Sequence, residues 1–382
     1  MPRNEGQVDK TDQVEINLPK ESVTQANAKI LSIDAFIIGC GTVGGTLIDQ
    51  IKEQQQTLLA KNNIDLTVYG IANHSNFMMK EKGVDLNQWT SLLKNCSQKY
   101  SLENLRKFIV SNKLNNPVII DCTGNRGVAL QYNDFLTNNI HIVTANKIAN
   151  GEPLGYYQQI RNTAAQHNKR FQYETNIGAG LPVIEPLQKL LKSGDKLNRF
   201  EGILSGSLSY IFGELHKGLT LSQATLKAKE LGYTEPDPRE DLNGMDVARK
   251  VLIIAREIGM EINISDIEVE SVLPDEYTKL SSADEFIQKL PELDDLFTTR
   301  VEKAEKENKV LRYVATIIDG KCKVSIESIE ESNPLYLVDD GENVLAFYSR
   351  YYQPKPLVIK GYGAGPIVTA AGVFSDLLRV ID

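Results

Sequence analysis

The stretch AFIIGCGTVG, residues 35–44, runs an apolar segment into the spacing G-x-G-x-x-G, and residues 46–52 continue it with a helical pattern of apolar and polar side chains. A strand, a glycine-rich turn and a helix in this order are typical of a dinucleotide-binding βαβ unit. Gly39 permits the tight turn, Gly41 lets the backbone approach a pyrophosphate, and Gly44 lets the helix pack closely on the strand. Free N–H groups at the helix N-terminus then receive the phosphate charge. The stretch therefore predicts a Rossmann-type fold.

The next strand-like run, residues 64–72, ends at Asn73, His74 and Ser75. NAD-binding folds usually place an Asp or Glu at this position to bind the ribose hydroxyls. Asn73 carries no charge that would repel a 2′-phosphate, so the sequence predicts that NADP(H) is accepted, with NAD(H) as the alternative cofactor. His74 itself is more simply interpreted as an exposed loop residue.

Two further apolar runs, residues 117–124 and 140–147, end in small polar residues such as Thr123. Open α/β sheets bind ligands outside the carboxyl ends of their parallel strands, so both runs are expected to end at a binding crevice. Lys147 would then project into that crevice beside the nicotinamide. From its position alone, Lys147 fits a surface lysine equally well.

The segment GYTEPDPREDLNGMDVARK, residues 232–250, is a rigid acidic loop that runs into a helix. Its two prolines fix φ and keep the preceding residues out of helix, so Glu235 lies on a restrained loop. Asp246 and Lys250 are four residues apart and are therefore neighbours on one helix face. The combination indicates a polar active site, although the spacing alone also fits a weak exposed salt bridge.

An apolar stripe of helical period follows the same helix and stops at Gly259, which is typical of a helix C-terminus. Its members are Val247, Val251, Ile254, Ala255 and Ile258. The Asp246/Lys250 pair flanks this stripe and need not face bulk water.

The composition is that of an ordinary globular protein, with 382 residues, 41% hydrophobic and 24% charged. This length suggests two domains. The formal charge of -8 and the lack of a basic cluster disfavour nucleic acid and anionic membranes as partners. No apolar run approaches the roughly 20 residues that span a bilayer, and the N-terminus lacks a signal-peptide core, so a cytoplasmic location is expected. The cysteines show no ligand spacing, which disfavours disulfides and zinc.

Periodicity divides the chain into a tail and two domains. The predicted parts are a polar tail or linker at 1–29, a Rossmann domain at 30–175 completed by 355–382, and a second domain at 176–354. Alternating runs at 309–318, 321–326 and 344–352 predict antiparallel strands in the second domain. The predicted fold class is α/β, with a Rossmann-type domain followed by an α+β domain that has a mixed or antiparallel sheet.

These motifs resemble the homoserine dehydrogenase family, and in particular the dehydrogenase half of bifunctional aspartokinase/homoserine dehydrogenases. The segment 232–250 is similar to the family signature almost letter for letter, and residues 174–182, 202–210 and 343–348 also match. The resemblance covers nearly the whole chain from about Ile33 onward. It implies a reversible hydride transfer between NAD(P)H and L-aspartate 4-semialdehyde that gives L-homoserine, a step toward threonine and methionine.

The resemblance also implies roles for individual residues. Reduction of an aldehyde needs a proton donor, and cations near the oxygen stabilise the developing alkoxide. By the family match Lys250 is the acid/base, Lys147 is the second lysine, and Asp246 reaches the reacting hydroxyl or positions Lys250. The implied substrate-binding residues are Glu235, which would hold the ammonium, Asp246, Ser207 and Asp241. The expected cofactor contacts are Gly39, Gly41, Thr42, Val43, Gly44, Asn73, Thr123, Lys147, Gly232, Glu235 and Gly365.

The family further implies a structural sodium- or potassium-like ion, held mainly by backbone carbonyls at Glu174, Ile177, Ala179 and Leu181. It also implies a homodimer or homotetramer that assembles through a sheet of the second domain. With only a polar tail ahead of the Rossmann motif and no module after the final helix, we expect neither a kinase domain nor feedback by threonine. A monofunctional enzyme and a piece of a longer protein fit the sequence equally well.

Two other functions stay open at this point. Aspartate semialdehyde dehydrogenase shares the substrate and cofactor but needs a nucleophilic cysteine. Cys322, the one cysteine of the second domain, lies in a strand-like pattern that disfavours this role. A non-catalytic NADPH sensor would keep the nucleotide fold without the chemistry, and the joint presence of Glu235, Asp246, Lys250 and Lys147 disfavours it.

Overall fold

The computed structural model describes residues 29–381, which form two six-stranded sheets flanked by helices. All of the predicted tail except its last residue lies outside the described residues. Within residues 29–381, no helix combines the length and apolar character needed to cross a membrane.

The strands and the α-helices of residues 29–381 are each numbered below in chain order. The strands are β1 (Leu31–Ile38), β2 (Ile64–Ala72), β3 (Phe77–Met79), β4 (Pro117–Asp121), β5 (His141–Thr144), β6 (Phe171–Gln172), β7 (Leu197–Ile203), β8 (Ile267–Val269), β9 (Lys309–Ile318), β10 (Lys321–Glu330), β11 (Glu342–Ser349) and β12 (Leu357–Tyr362). The α-helices are α1 (Thr42–Thr57), α2 (Trp89–Lys94), α3 (Leu102–Ser111), α4 (Arg126–Ala129), α5 (Tyr132–Thr137), α6 (Ile148–Gly151), α7 (Leu154–Gln166), α8 (Thr175–Gly178), α9 (Ile184–Lys192), α10 (Gly206–His216), α11 (Leu221–Glu230), α12 (Arg239–Leu242), α13 (Met245–Glu257), α14 (Asp275–Thr278), α15 (Ala283–Lys289), α16 (Asp294–Lys306) and α17 (Pro366–Leu378).

The first sheet has the strand order β3-β2-β1-β4-β5-β6. The short strand β3 is antiparallel to β2, and all other neighbours are parallel. The chain order reverses between β1 and β4, and Rossmann sheets bind ligands in the crevice outside the carboxyl ends at this switch point. The predicted Rossmann-type domain is confirmed.

The C-terminal helix α17 returns to the first sheet and shares an apolar core with α1. Its buried core residues are Ala370, Val373 and Leu377. β12, however, pairs with β11 in the second sheet. The boundary predicted at residue 355 is therefore too early, because an antiparallel ladder holds residues 357–362 in the second sheet. We propose that the return begins at Pro366.

The second sheet has the order β12-β11-β7-β9-β10-β8, and only β8 and β10 are parallel neighbours. It is the mixed sheet that the sequence predicts. One face packs against α10, α13 and α16 in a single apolar core. The predicted stripe of α13 lies in that core, with Val247, Val251, Ile254 and Ala255 all at most 1% exposed. Burial of this stripe fixes how α13 presents Asp246 and Lys250.

Close packing explains two glycines of the first turn. Gly39 has a φ of +90°, and a Cβ there would lie 2.6 Å from Thr123 Cγ2. A Cβ on Gly44 would lie 1.9 Å from the carbonyl oxygen of Gly39, inside the backbone of the turn. Gly41, by contrast, has open space around its Cβ position. The turn and packing roles predicted for Gly39 and Gly44 agree with these contacts.

Replacing Gly44 by alanine should destabilise the protein by about 1–3 kcal/mol, because the added methyl group has to displace the backbone of Gly39. Gly41→Ala is the matched control, since its methyl group meets no atom within 4 Å and its φ of -71° suits alanine. Urea unfolding of the two variants measures the difference. Equal unfolding midpoints would contradict this account of Gly44.

Candidate active site

A cavity of about 800 Å³ opens where the carboxyl ends of the first sheet face the loops of the second domain. From the first domain Val43, Thr123 and Lys147 line it, and from the second domain Glu235 and Lys250 are among its lining residues. The cavity therefore lies at the switch point where this kind of sheet binds ligands.

The N-terminus of α1 reaches this cavity through Val43. α1 begins after Gly41, with no side-chain cap and no acidic residue in its first turn. Its first N–H groups therefore need partners from outside the helix, and the helix dipole favours a negative charge beside them. This arrangement suits a phosphate group.

Three charged side chains meet in the lining of the cavity. Asp246 Oδ1 accepts a hydrogen bond from Lys147 Nζ at 2.9 Å, and Asp246 Oδ2 lies 2.8 Å from Lys250 Nζ. Lys250 Nζ also donates to the carbonyl oxygen of Leu204 at 2.6 Å. The structure thus brings the three predicted catalytic residues together, and neither alternative, an isolated surface lysine or an exposed helix pair, describes them.

Burial and charge act in opposite directions on this cluster. Lys250 is only 6% exposed, and this burial lowers the pKa of its ammonium group, although the charge of Asp246 opposes the shift. Burial alone would raise the pKa of Asp246, but the charges of Lys250 and Lys147 outweigh it and hold that pKa well below its usual value. Asp246 is therefore ionised, and Lys250 loses its proton more easily than a lysine in water.

Glu235 lies on the loop between α11 and α12. Its backbone N–H donates to Asp241 Oδ2 at 2.9 Å, and Asp241 Oδ1 accepts a hydrogen bond from Ser207 Oγ at 2.7 Å. Asp241 thereby ties this loop to the N-terminus of α10. Within the described part of the chain, the Glu235 carboxylate has no hydrogen-bond or ion-pair partner, and it lines the cavity. It is therefore available to bind a cation.

The predicted cofactor contacts divide into three groups. Those that line the cavity are Val43, Thr123, Lys147, Gly232, Glu235 and Gly365. Those that form the adjoining glycine turn are Gly39, Gly41, Thr42 and Gly44. Asn73 belongs to neither group: its Oδ1 accepts the N–H groups of Ser75 and Asn76 at 2.8 and 2.7 Å and so closes the turn after β2.

Sequence reasoning missed Tyr233 and the carbonyl group of Leu204. Tyr233 lines the cavity, and its ring stacks on that of Tyr210 with a centroid separation of 4.7 Å. Tyr233 lies two residues before Glu235 in the signature segment 232–250, and this position could have marked it as a site residue. No local pattern marks the carbonyl of Leu204, because it lies 46 residues from the lysine that it binds.

In the predicted cation loop, the carboxylate of Glu174 is already engaged by backbone N–H groups. Ala179 has a positive φ of 52° although it is not glycine. Glu174 Oε1 accepts the N–H groups of Val183 and Ile184 at 2.5 Å, and Oε2 accepts that of Glu185 at 2.9 Å. Among residues 29–381 no group of three or more His, Cys, Asp or Glu side chains could hold a metal ion. The Glu174 side chain does not fit as a ligand, so an ion here would depend on backbone carbonyls.

Two family models match the chain, one for each domain. The model described as homoserine dehydrogenase matches residues 182–378, and the model described as homoserine dehydrogenase, NAD binding domain, matches residues 39–174. The bifunctional aspartokinase/homoserine dehydrogenase of Haemophilus influenzae is 53% identical over 350 residues, which are 92% of this chain and 43% of that protein. The chain therefore spans less than half the length of that relative.

Another relative matches over its full length. The homoserine dehydrogenase of Schizosaccharomyces pombe is 35% identical over 366 residues, which are 93% of this chain and 97% of that protein. A solved structure of a hyperthermophilic archaeal homoserine dehydrogenase mutant in complex with NADPH has a TM-score of 0.70 and 25% identity, and the match covers 92% of this chain and 98% of that one. The two family models and the relatives point to the same family, and the fold is consistent with them. The chain belongs to the homoserine dehydrogenase family.

Proposed function

We propose that this chain catalyses the reversible, NAD(P)H-dependent reduction of L-aspartate 4-semialdehyde to L-homoserine, a step of threonine and methionine biosynthesis. The observation that carries the proposal is the cluster of Lys147, Asp246 and Lys250 in a cavity that also presents the N-terminus of α1. Membership of the homoserine dehydrogenase family supports the same reaction.

The chemistry divides between the cofactor and the chain. The nicotinamide, when bound, supplies the hydride. Lys250 supplies the proton to the developing alkoxide: two of its three N–H donors hold Asp246 and the Leu204 carbonyl, which leaves one for the substrate oxygen. Lys147 places a second positive charge near the same oxygen and stabilises it. In the oxidative direction, neutral Lys250 takes the proton back, which its lowered pKa makes easier.

The substrate is a zwitterion, and the site offers a matching anion. Glu235 has a carboxylate without a partner in residues 29–381, on a loop that Asp241 and Ser207 restrain. We assign Glu235 to the substrate ammonium, Ser207 to a supporting contact, and Asp241 to the same substrate site. Because both oxygens of Asp241 are already hydrogen-bonded, its contribution is to hold the Glu235 loop in place.

For the cofactor we propose NADP(H) as the preferred form. The first residue after β2 is Asn73, whose side chain closes a turn and carries no charge that would repel a 2′-phosphate. The archaeal relative was solved with NADPH, which supports the same preference.

Three further properties are proposed from the family resemblance. The first is a sodium- or potassium-like ion on the backbone carbonyls of Glu174, Ile177, Ala179 and Leu181, in a segment where the chain turns at Ala179 with a positive φ of 52°. The others are assembly into a homodimer or homotetramer and a cytoplasmic location.

The rival aspartate semialdehyde dehydrogenase activity is disfavoured by the state of Cys322. A nucleophilic cysteine reacts as the thiolate and has to reach the substrate. Cys322 lies within β10, is 4% exposed, and burial raises the pKa of its thiol to about 11. A non-catalytic NADPH sensor remains the alternative that the first assay below excludes or establishes.

Lys250→Met should lower kcat for homoserine oxidation at least a hundredfold, the usual weight of general acid/base catalysis, while NADPH still binds. Nicotinamide absorbance measures turnover, and fluorescence titration measures NADPH binding. Arg249→Met is the control, because it removes an exposed cation of the same helix that has no partner within residues 29–381. A Lys250→Met variant within threefold of wild type would exclude Lys250 from the mechanism, and a wild type without homoserine-dependent turnover would leave the sensor.

Glu235→Gln should raise the KM for homoserine by about tenfold or more, since a hydrogen bond to a charged group contributes about 1.5–3 kcal/mol. The KM for NADP should stay nearly unchanged. Glu240→Gln is the matched control, an exposed carboxylate nearby that lines an adjoining cavity. Equal homoserine KM values for the two variants would contradict the assignment.

Asn73→Asp should shift the cofactor preference toward NADH by about 1–3 kcal/mol, mainly because the new carboxylate repels the 2′-phosphate across a partly wet site. The aspartate can still close the turn on Ser75 and Asn76, so the fold is kept. Asn73→Ser is the neutral control and should leave the preference unchanged. The measurement is kcat/KM with each cofactor, and a wild type that prefers NADH tenfold would show that Asn73 is not at the ribose.

A further inference from the structure

The carboxyl ends of β4 and β5 carry a buried carboxylate that the proposed mechanism does not use. Asp121, the last residue of β4, is fully buried and has no cationic partner among residues 29–381. Burial raises the pKa of its carboxyl group, while hydrogen bonds from neutral groups oppose the shift. A buried carboxylate destabilises the fold unless its oxygens accept hydrogen bonds. The donors around Asp121 therefore indicate its role.

Both oxygens of Asp121 hold segments that border the active site. Oδ1 accepts the backbone N–H of Thr123 at 2.8 Å, and Thr123 lines the main cavity. Oδ2 accepts Nδ2 of Asn146 at 3.0 Å and the hydroxyl of Tyr132 at 2.7 Å. One carboxylate therefore joins the loop after β4 to the loop after β5.

Asn146 passes this restraint on to Lys147. It is 2% exposed, its Oδ1 accepts the N–H of Ile148 at 3.1 Å, and its Nδ2 also donates to the carbonyl of Asn125 at 3.1 Å. The residues on both sides of Lys147 are thus fixed, and the direction in which Lys147 leaves the sheet follows. Its ammonium group then reaches Asp246 in the other domain.

We propose that Asp121 is a positioning residue that sets the spacing between the Thr123 loop and Lys147, and so aligns the nicotinamide half of the cofactor with the lysine pair. Only the predicted effect on kcat rests on the proposed function. The predicted effect on NADPH affinity tests the positioning role of Asp121 without it. An asparagine of the same shape could not replace Asp121, because both oxygens of Asp121 accept hydrogen bonds and the NH₂ group would face either the N–H of Thr123 or the amide of Asn146.

The test compares Asp121→Asn with Asp34→Asn. Asp34 is also a buried aspartate of the first sheet, 5% exposed, and accepts the N–H of Asn116 at 3.0 Å, but it lies at the opposite end of the sheet. Asp121→Asn should weaken NADPH binding tenfold or more and lower kcat at least tenfold, with the homoserine KM within threefold. Asp34→Asn should lower the Tm and leave the NADPH affinity, kcat and homoserine KM within threefold of wild type.

A rescue separates alignment from general damage. In the double variant Asp121→Asn/Asn146→Asp, donor and acceptor between the two side chains are exchanged and the total charge is kept, while the bond from residue 146 to the Asn125 carbonyl is lost. The rescue is therefore partial: at least a third of the loss in log kcat should return, and no return would contradict the alignment role. If Asp121→Asn does not fold, Asn146→Ala takes its place and should show the same loss of NADPH affinity.

Two results would overturn the proposal. One is a folded Asp121→Asn variant with NADPH affinity and kcat within twofold of wild type. The other is an equal loss in Asp121→Asn and Asp34→Asn, which would make the carboxylate a structural group only. NADPH titration needs no substrate, so a wild type that binds NADPH but does not oxidise homoserine refutes the proposed function while this test still stands.

Discussion

The bridge from Lys147 through Asp246 to Lys250 joins the two domains at the place where the proposed chemistry occurs. Lys147 follows a strand of the first sheet, whereas Asp246 and Lys250 belong to α13. Two ammonium groups this close would repel each other, and the shared carboxylate lets both remain side by side in the cavity. The position of α13 relative to the first sheet therefore decides whether the site exists.

α13 is fastened to the first domain a second time near its other end. Arg256 donates to the backbone carbonyls of Asn150 and Glu152 at 2.8 and 2.9 Å. Asp246 and Arg256 are ten positions apart on the helix, a distance of about 15 Å along the axis. Attachment at two points so far apart resists pivoting of the helix and so holds Asp246 and Lys250 in place beside Lys147.

The sequence predicted correctly those elements that depend on the order of apolar, polar and glycine residues within a short segment. The glycine turn, the runs that became β2 and β4, and the apolar stripe of α13 follow from periodicity and glycine geometry, and all three appear in the structure. The proposed roles of Lys147 and Glu235 came from family resemblance, because Asp246, the partner of Lys147, lies 99 residues away and no spacing rule connects the two. The prediction placed residues 357–362 in the Rossmann domain, whereas β12 pairs with β11 of the second sheet. A short alternating run does not indicate which sheet a strand joins.

Asp246 and Asp121 illustrate why composition could not reveal the rest. Asp246 is paired with two cations, Lys147 and Lys250, in the lining of the cavity. Asp121 is surrounded by neutral donors, which satisfy a carboxylate without adding a positive charge beside the cofactor. Both are single aspartates near the end of an apolar run or helix start, and sequence alone does not tell them apart. The difference lies in what the fold brings to their oxygens, and that is settled by contacts between segments that are distant along the chain.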